Sequence, residues 1–250
     1  MGFVSDLLYR DNPKRRETVQ ALADSIAGDV NFIEKATNDT IERINKFLTV
    51  KCKKVTSSGK TINVFLLEVR QAFADLGRNA EEQYEKLSVT VDTAVVENVR
   101  RKVQGLDLKK MREAIRELKI VGLTLGQAAG IVVSLVTMQL TEVYLERTAW
   151  ASVSYLGGFV AGALAGTLVF VIIEAISGAV KRAELERRIQ ELTEAEKTIR
   201  DNRDAIVNSA HQVHFALIVM QITSGTAELG NEFSFGYVSL LTLYLLFQGH

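Results

Sequence analysis

Proline occurs once in the 250 residues, at Pro13, and nothing after it obliges a helix to stop. Proline removes a backbone donor and clashes with the preceding turn, so its absence from the rest of the chain favours long helices over a turn-rich β fold. The apolar spacing agrees. Leu22, Ile26, Val30, Ile33, Thr37, Ile41, Ile44 and Leu48 alternate steps of four and three in an eleven-residue pattern. This predicts a helix over about 17–50 with little or slightly right-handed supercoil. The segment 51–60 reads as an exposed basic loop broken by Ser57, Ser58 and Gly59.

A second helix is expected over about 61–104. Ile62, Val69 and Leu76 interleave with Leu66, Phe73, Ala80, Leu87 and Ala94 at seven-residue spacing, the signature of a coiled-coil seam. Gly105 closes it and Asp107 is placed to cap a third helix. There Leu108, Met111, Ile115 and Leu118 share a face, while Lys109, Lys110, Arg112, Arg116 and Lys119 crowd the rest. A last long helix holds Leu185, Leu192, Ile199, Ile206, Val213 and Met220 at seven-residue spacing. Its companion positions, Arg188, Ala195, Asn202, Ser209 and Ala216, are poorly apolar, so this helix is expected at the margin of a bundle. The fold class is therefore all-α: an elongated antiparallel helical bundle.

Charge placement adds a membrane element. Lys plus Arg is 30 and Asp plus Glu is 30, a balance that argues against general nucleic-acid binding, which needs a basic face. Two runs, Ile120–Thr141 and Thr148–Ile173, carry no ionised side chain, and the charges between them are Glu142, Glu146 and Arg147. Each is long enough for the roughly 30 Å of bilayer hydrocarbon. In the window Tyr155–Ile173 the strongly apolar residues supply about −3 to −6 kcal/mol toward insertion, offset in part by Gly, Thr and Tyr. The expected organisation is coiled-coil helices over 1–119, a Gly-rich transmembrane hairpin over 120–173, a coiled-coil helix over 174–232 and an apolar tail over 233–250.

Gly122, Gly126 and Gly130 in the first run, and Gly158, Gly162 and Gly166 in the second, recur every four residues. That spacing stacks them on one helix face and lets membrane helices approach closely. Tyr144, Trp150 and Tyr155 are expected as anchors at the headgroup level. Basic residues flank both runs, with Lys181, Arg182, Arg187 and Arg188 after the second, which places both termini in the cytosol. Three alternatives stay open: a soluble bundle that buries the hairpin, a soluble form that releases it at a membrane, and a single pass by the second run alone.

Candidate chemistry is sparse. Ser58-Gly59-Lys60-Thr61 is half of a phosphate-binding loop, but Lys54 stands where that loop needs glycine, so a helix-joining loop with an N-cap is the plainer reading. His211 and His214 lie one turn apart without further zinc ligands. Glu174 ends the second apolar run and is expected at the interface. Asn38-Asp39-Thr40 matches a glycosylation sequon but lies within a helix. Lys51, Lys53, Lys54 and Lys60 could meet anionic lipid, although a solvated loop accounts for them. Cys52 is the only cysteine, so no intrachain disulfide forms, which favours a reducing environment. No cleavable signal peptide is visible, and Asp6 stands where an N-myristoylation motif wants Ser or Thr. No catalytic residue, cofactor or metal site is expected.

The opening Ser5–Glu17, with Leu8-Tyr9 and Asn12-Pro13-Lys14-Arg15-Arg16, resembles the start of a small vertebrate family, single-pass membrane and coiled-coil domain-containing protein 3 and its relatives. The resemblance implies coiled coil, membrane segment and coiled coil in that order, with one membrane pass where the charge pattern suggests two. It implies no enzyme activity. By layout alone the chain is also similar to apolipoprotein L proteins and to α-helical pore-forming toxins of the haemolysin E type. The leading expectation is a non-enzymatic, membrane-anchored coiled-coil protein, in contact with membrane lipid, that self-associates as a homo-oligomer or recruits a coiled-coil partner. The runner-up is a pore former whose Gln127, Thr137 and Gln139 face water.

Overall fold

A computed structural model describes residues 12–104, 107–147 and 182–224. The protein is all-helical over these residues, with no strand among them. Six helices follow in order: α1 Asn12–Asn45, α2 Ile62–Ser88, α3 Thr93–Val103, α4 Leu108–Ile120, α5 Leu125–Arg147 and α6 Arg182–Ser224.

The α1 stripe is buried as its spacing requires: Ile26, Val30, Ile33, Ile41 and Ile44 are all inaccessible to solvent. After α1 the chain runs back along it as an extended segment. The Asn45 side chain accepts from the Cys52 N–H and donates to the Cys52 carbonyl, at 2.9 and 2.8 Å. Asn38 does the same with Val55, at 2.8 and 2.9 Å. Glu34 accepts from the Ser57 N–H at 2.9 Å. The spacing is geometric. Seven helical residues rise about 10.5 Å, and three extended residues cover about 10 Å. Each side-chain amide thus stands in for a neighbouring strand. Gly59, at φ 73°, turns the chain, and Thr61 caps α2 by accepting from the Val64 N–H.

α2 therefore runs in the same sense as α1. At its far end Gln83 meets the turn that follows α1, accepting from the Thr49 N–H at 2.7 Å and donating to the Phe47 carbonyl at 3.0 Å. The expected single helix over 61–104 breaks at 89–92. Val89, Thr90 and Val91 are β-branched and poor in helices, and Asp92 begins α3 by accepting from the Ala94 N–H at 2.8 Å. Asp107 caps α4 as its position suggests, accepting from the Lys110 N–H at 2.9 Å. α3 and α4 pair through Glu117, which accepts from Asn98 and Lys102 at 2.7 and 2.6 Å.

The bundle is mixed in direction rather than wholly antiparallel. α5 runs against α2. α6 runs parallel to α1, as three contacts at nearly constant offset require: Arg15–Glu186 at 3.1 Å, Ser25–Glu196 at 2.7 Å and Arg203–Asp29 at 2.8 Å. Leu192, Ala195, Ile199, Asn202 and Ile206 of α6 are buried. The stripe is wider than its residue types suggest, because small Ala195 and Asn202 lie in the packed seam instead of at its margin.

Candidate functional site

The feature that most bears on function is α5, which lies among the other helices. Its start is built by a reciprocal cap. Thr124 Oγ1 accepts from the Gln127 N–H at 3.3 Å, and Gln127 Oε1 accepts from the Thr124 N–H at 2.9 Å. The preceding helix, α4, ends in a Schellman motif. The Leu123 N–H donates to the Leu118 carbonyl and the Gly122 N–H to the Lys119 carbonyl, at 3.2 and 3.1 Å. Gly122 supplies the φ of 94° that this stop requires.

The charge-free run Ile120–Thr141 is thus two helices and a turn, not one membrane-length rod. Among the described residues one helix is nevertheless long and apolar enough to cross a membrane by length and composition, Leu125–Glu146, and 72% of its most apolar window is buried inside the protein. The core helix of a water-soluble bundle has the same composition.

α5 is covered on more than one side. Every residue from Ile131 to Thr137 is buried, with α2 as the main partner and α3, α4 and α6 adding contacts. Against α2, Phe73 stacks on Tyr144 with ring centroids 4.1 Å apart. Gly77 stands so close to Thr141 that an added Cβ would lie 2.6 Å from its Oγ1. Farther along, Gln83 Nε2 donates to Ser134 Oγ at 3.3 Å. Most polar residues that weaken this run as a membrane helix find partners in the protein, the exception being Thr137, whose Oγ1 is buried without one. Besides Ser134, Thr141 Oγ1 donates to the Met138 carbonyl at 2.9 Å and Gln139 Nε2 to the Gln104 carbonyl at 2.7 Å.

Several expected site residues fall elsewhere. Tyr144 is fully buried against Phe73 instead of lying at a headgroup level, because its ring fills the seam where α2 and α5 cross. Gly122, Gly126 and Gly130 do not form one helix face. Gly122 is the α4 stop, Gly126 is open to solvent, and Gly130 takes the Leu87 side chain of α2, to which an added Cβ would come within 2.9 Å. Gln127, Thr137 and Gln139 do not share a water-facing side either: Gln127 is exposed and caps α5, while Thr137 is buried. Gly158, Gly162, Gly166, Trp150, Tyr155 and Glu174 lie outside the described residues, as do the side chains of His211 and His214.

The remaining candidates are structural. Lys60 pairs with Glu68 and Thr61 caps α2, so the Ser58–Thr61 segment is a helix-joining turn. Asn38 holds Val55 with both ends of its amide, leaving no free nitrogen for a glycan in this fold. Cys52 is half-buried, and burial pushes its thiol above the ordinary range while Asn79 Nδ2 donates to Sγ at 3.2 Å. Among the described residues no cluster of three or more His, Cys, Asp or Glu could hold a metal ion. No known family model matches the chain and no solved structure matches it. What the arrangement offers is a membrane-length apolar helix, sheathed by amphipathic ones, leading into the charge-free stretch Thr148–Ile173.

Proposed function

We propose that this chain is a non-enzymatic helical-bundle protein that attaches to a membrane from one side. In this reading Thr148–Ile173 is the lipid-contacting part, and the bundle in water is the platform for self-association or partner recruitment. The observation that carries the reading is the return of α6. It packs beside α1 through Arg15–Glu186, Ser25–Glu196 and Asp29–Arg203. α1 and the paired part of α6, residues 182–204, are heavily charged, so neither lies in hydrocarbon, and both ends of 148–181 stay on one face of the membrane. That stretch is roughly 34 residues, whereas crossing twice needs about 40 and a turn. With the bundle closed, attachment is by partial or in-plane insertion.

The sheathed α5 favours a second reading, the lipid-inserting or pore-forming one. If α5 leaves α2, the apolar length available becomes about 50 residues, enough for the two-pass hairpin. The two readings differ by one event, the separation of α5 from α2, and one lock separates them. A disulfide between Gly77→Cys and Thr141→Cys, with Cys52→Ser, joins positions whose Cβ atoms would stand 3.3 Å apart, near the spacing a disulfide wants. Under the leading reading the oxidised protein still floats with vesicles and releases no dye. Vesicle association that appears only on reduction, together with dye release, would transfer the case to the pore. A chain that remains soluble with vesicles under both conditions would end both readings.

A further inference from the structure

Resting on that reading, we infer that the outer face of the α3–α4 hairpin is an anionic-lipid-binding surface, with the α4–α5 turn as its apolar tip. The chain has no net charge, yet this hairpin gathers cations on one exposed surface. Arg101, Lys109, Lys110, Arg112, Arg116 and Lys119 are all exposed, and none is paired with a carboxylate among the described residues. The nearby acids are fewer, and Glu117 is already engaged by Lys102 and Asn98. The burial of Met111, Ala114, Ile115 and Leu118 against the core fixes which side of α4 faces out, so the basic residues have no other direction in which to turn.

The apolar tip turns this from a general cation patch into a lipid surface. Ile120 is 85% exposed and Val121 45%, both held out by the Gly122 stop. Leu87 of α2 meets Gly130 near the start of α5, so Val89, 83% exposed, lies at the same end of the bundle. Branched apolar side chains beside unpaired lysines and arginines match a lipid interface, where phosphates meet acyl chains. A nucleic-acid backbone offers phosphates and nothing for Ile120 to enter.

The test uses the full chain in vesicle flotation, with phosphatidylcholine alone or with phosphatidylserine added. The phosphatidylcholine arm reads the apolar stretch, and the extra binding to phosphatidylserine reads the basic face. The extra binding is expected to fall with salt. The variant Lys110→Gln/Arg112→Gln/Arg116→Gln is expected to lower it about a hundredfold while leaving phosphatidylcholine binding unchanged. Ile120→Ser is expected to weaken it about tenfold. All four side chains are exposed, and circular dichroism is the check that the variants fold. Unchanged phosphatidylserine preference in the triple variant overturns this surface but leaves membrane attachment standing. No binding to either vesicle overturns the attachment itself. Duplex RNA bound as tightly as the anionic vesicles, with Ile120→Ser indifferent, overturns the lipid assignment in favour of a phosphate-backbone partner.

Discussion

Gly77→Ala tests whether α5 belongs to the bundle in water. Placed in the middle of α2, alanine gains about 1 kcal/mol over glycine in helix propensity. The new Cβ, however, would stand 2.6 Å from Thr141 Oγ1 and 3.3 Å from its Cβ. Thr141 is β-branched, and its hydroxyl is held by the Met138 carbonyl at 2.9 Å, so it has little room to swing away. Overpacking of this kind costs about 1–3 kcal/mol, which leaves a net destabilisation of about 1 kcal/mol. Gly28 is the control. It lies within α1 with nothing inside 4 Å of an added Cβ, and Gly28→Ala is expected to stabilise by about 0.5–1 kcal/mol. Urea unfolding followed by circular dichroism should separate the two variants by about 2 kcal/mol, with opposite signs. Thr141→Ala should remove the clash, giving a coupling of about 1–2 kcal/mol in a double-mutant cycle. If Gly77→Ala stabilises as Gly28→Ala does, α5 is not seated against α2 and the sheath does not exist in solution.

Gln83→Leu should cost about 1–3 kcal/mol, because it leaves the Thr49 N–H, the Phe47 carbonyl and Ser134 without their partner; a loss under about 0.3 kcal/mol in urea unfolding would show that water replaces it freely. Gly122→Ala should cost about 1–2 kcal/mol, read the same way, since φ 94° is strained for any residue with a Cβ. The hydrogen bond from Lys102 holds the Glu117 carboxyl below the usual carboxylate range, against opposing burial and with help from Asn98. Its contribution, up to about 1 kcal/mol at this partly exposed site, is therefore complete above that range and disappears as pH falls through the lowered value. Stability curves of the native chain and Glu117→Gln should converge in acid, and curves that stay parallel would refute the linkage.

Much of the helical framework is legible from residue spacing. The α1 stripe, the pairing face of α2 through Ala80 and the Asp107 cap follow from periods of 3.5 to 3.67 and from cap chemistry. Two breaks escape a reading based on period alone, and both have local signals. Thr124-Leu125-Gly126-Gln127 is a capping box just after a glycine, and Val89–Asp92 joins β-branched residues to an N-cap. The environment of α5 is not legible in the same way. A charge-free run fits hydrocarbon and a helix buried on all sides equally well, and the choice rests on partners distant in sequence, such as Gln83 for Ser134 and Gly77 for Thr141. The parallel course of α6 is hidden for the same reason, since heptads state that a helix pairs but not with which helix or in what direction.

The α1–α6 seam also sets a timetable for the nascent chain. Ser25 meets Glu196 and Asp29 meets Arg203 across separations of 171 and 174 residues. At translation rates of roughly 5–20 residues per second, the ridge formed by Val19, Ala23 and Ile26 emerges from the ribosome about 10 to 35 s before its partner is made. α2 waits far less for α5, with only 51 residues between Gln83 and Ser134. Among the described residues the first helix is thus the surface that waits longest for its partner, and the natural place for a chaperone to hold the nascent chain.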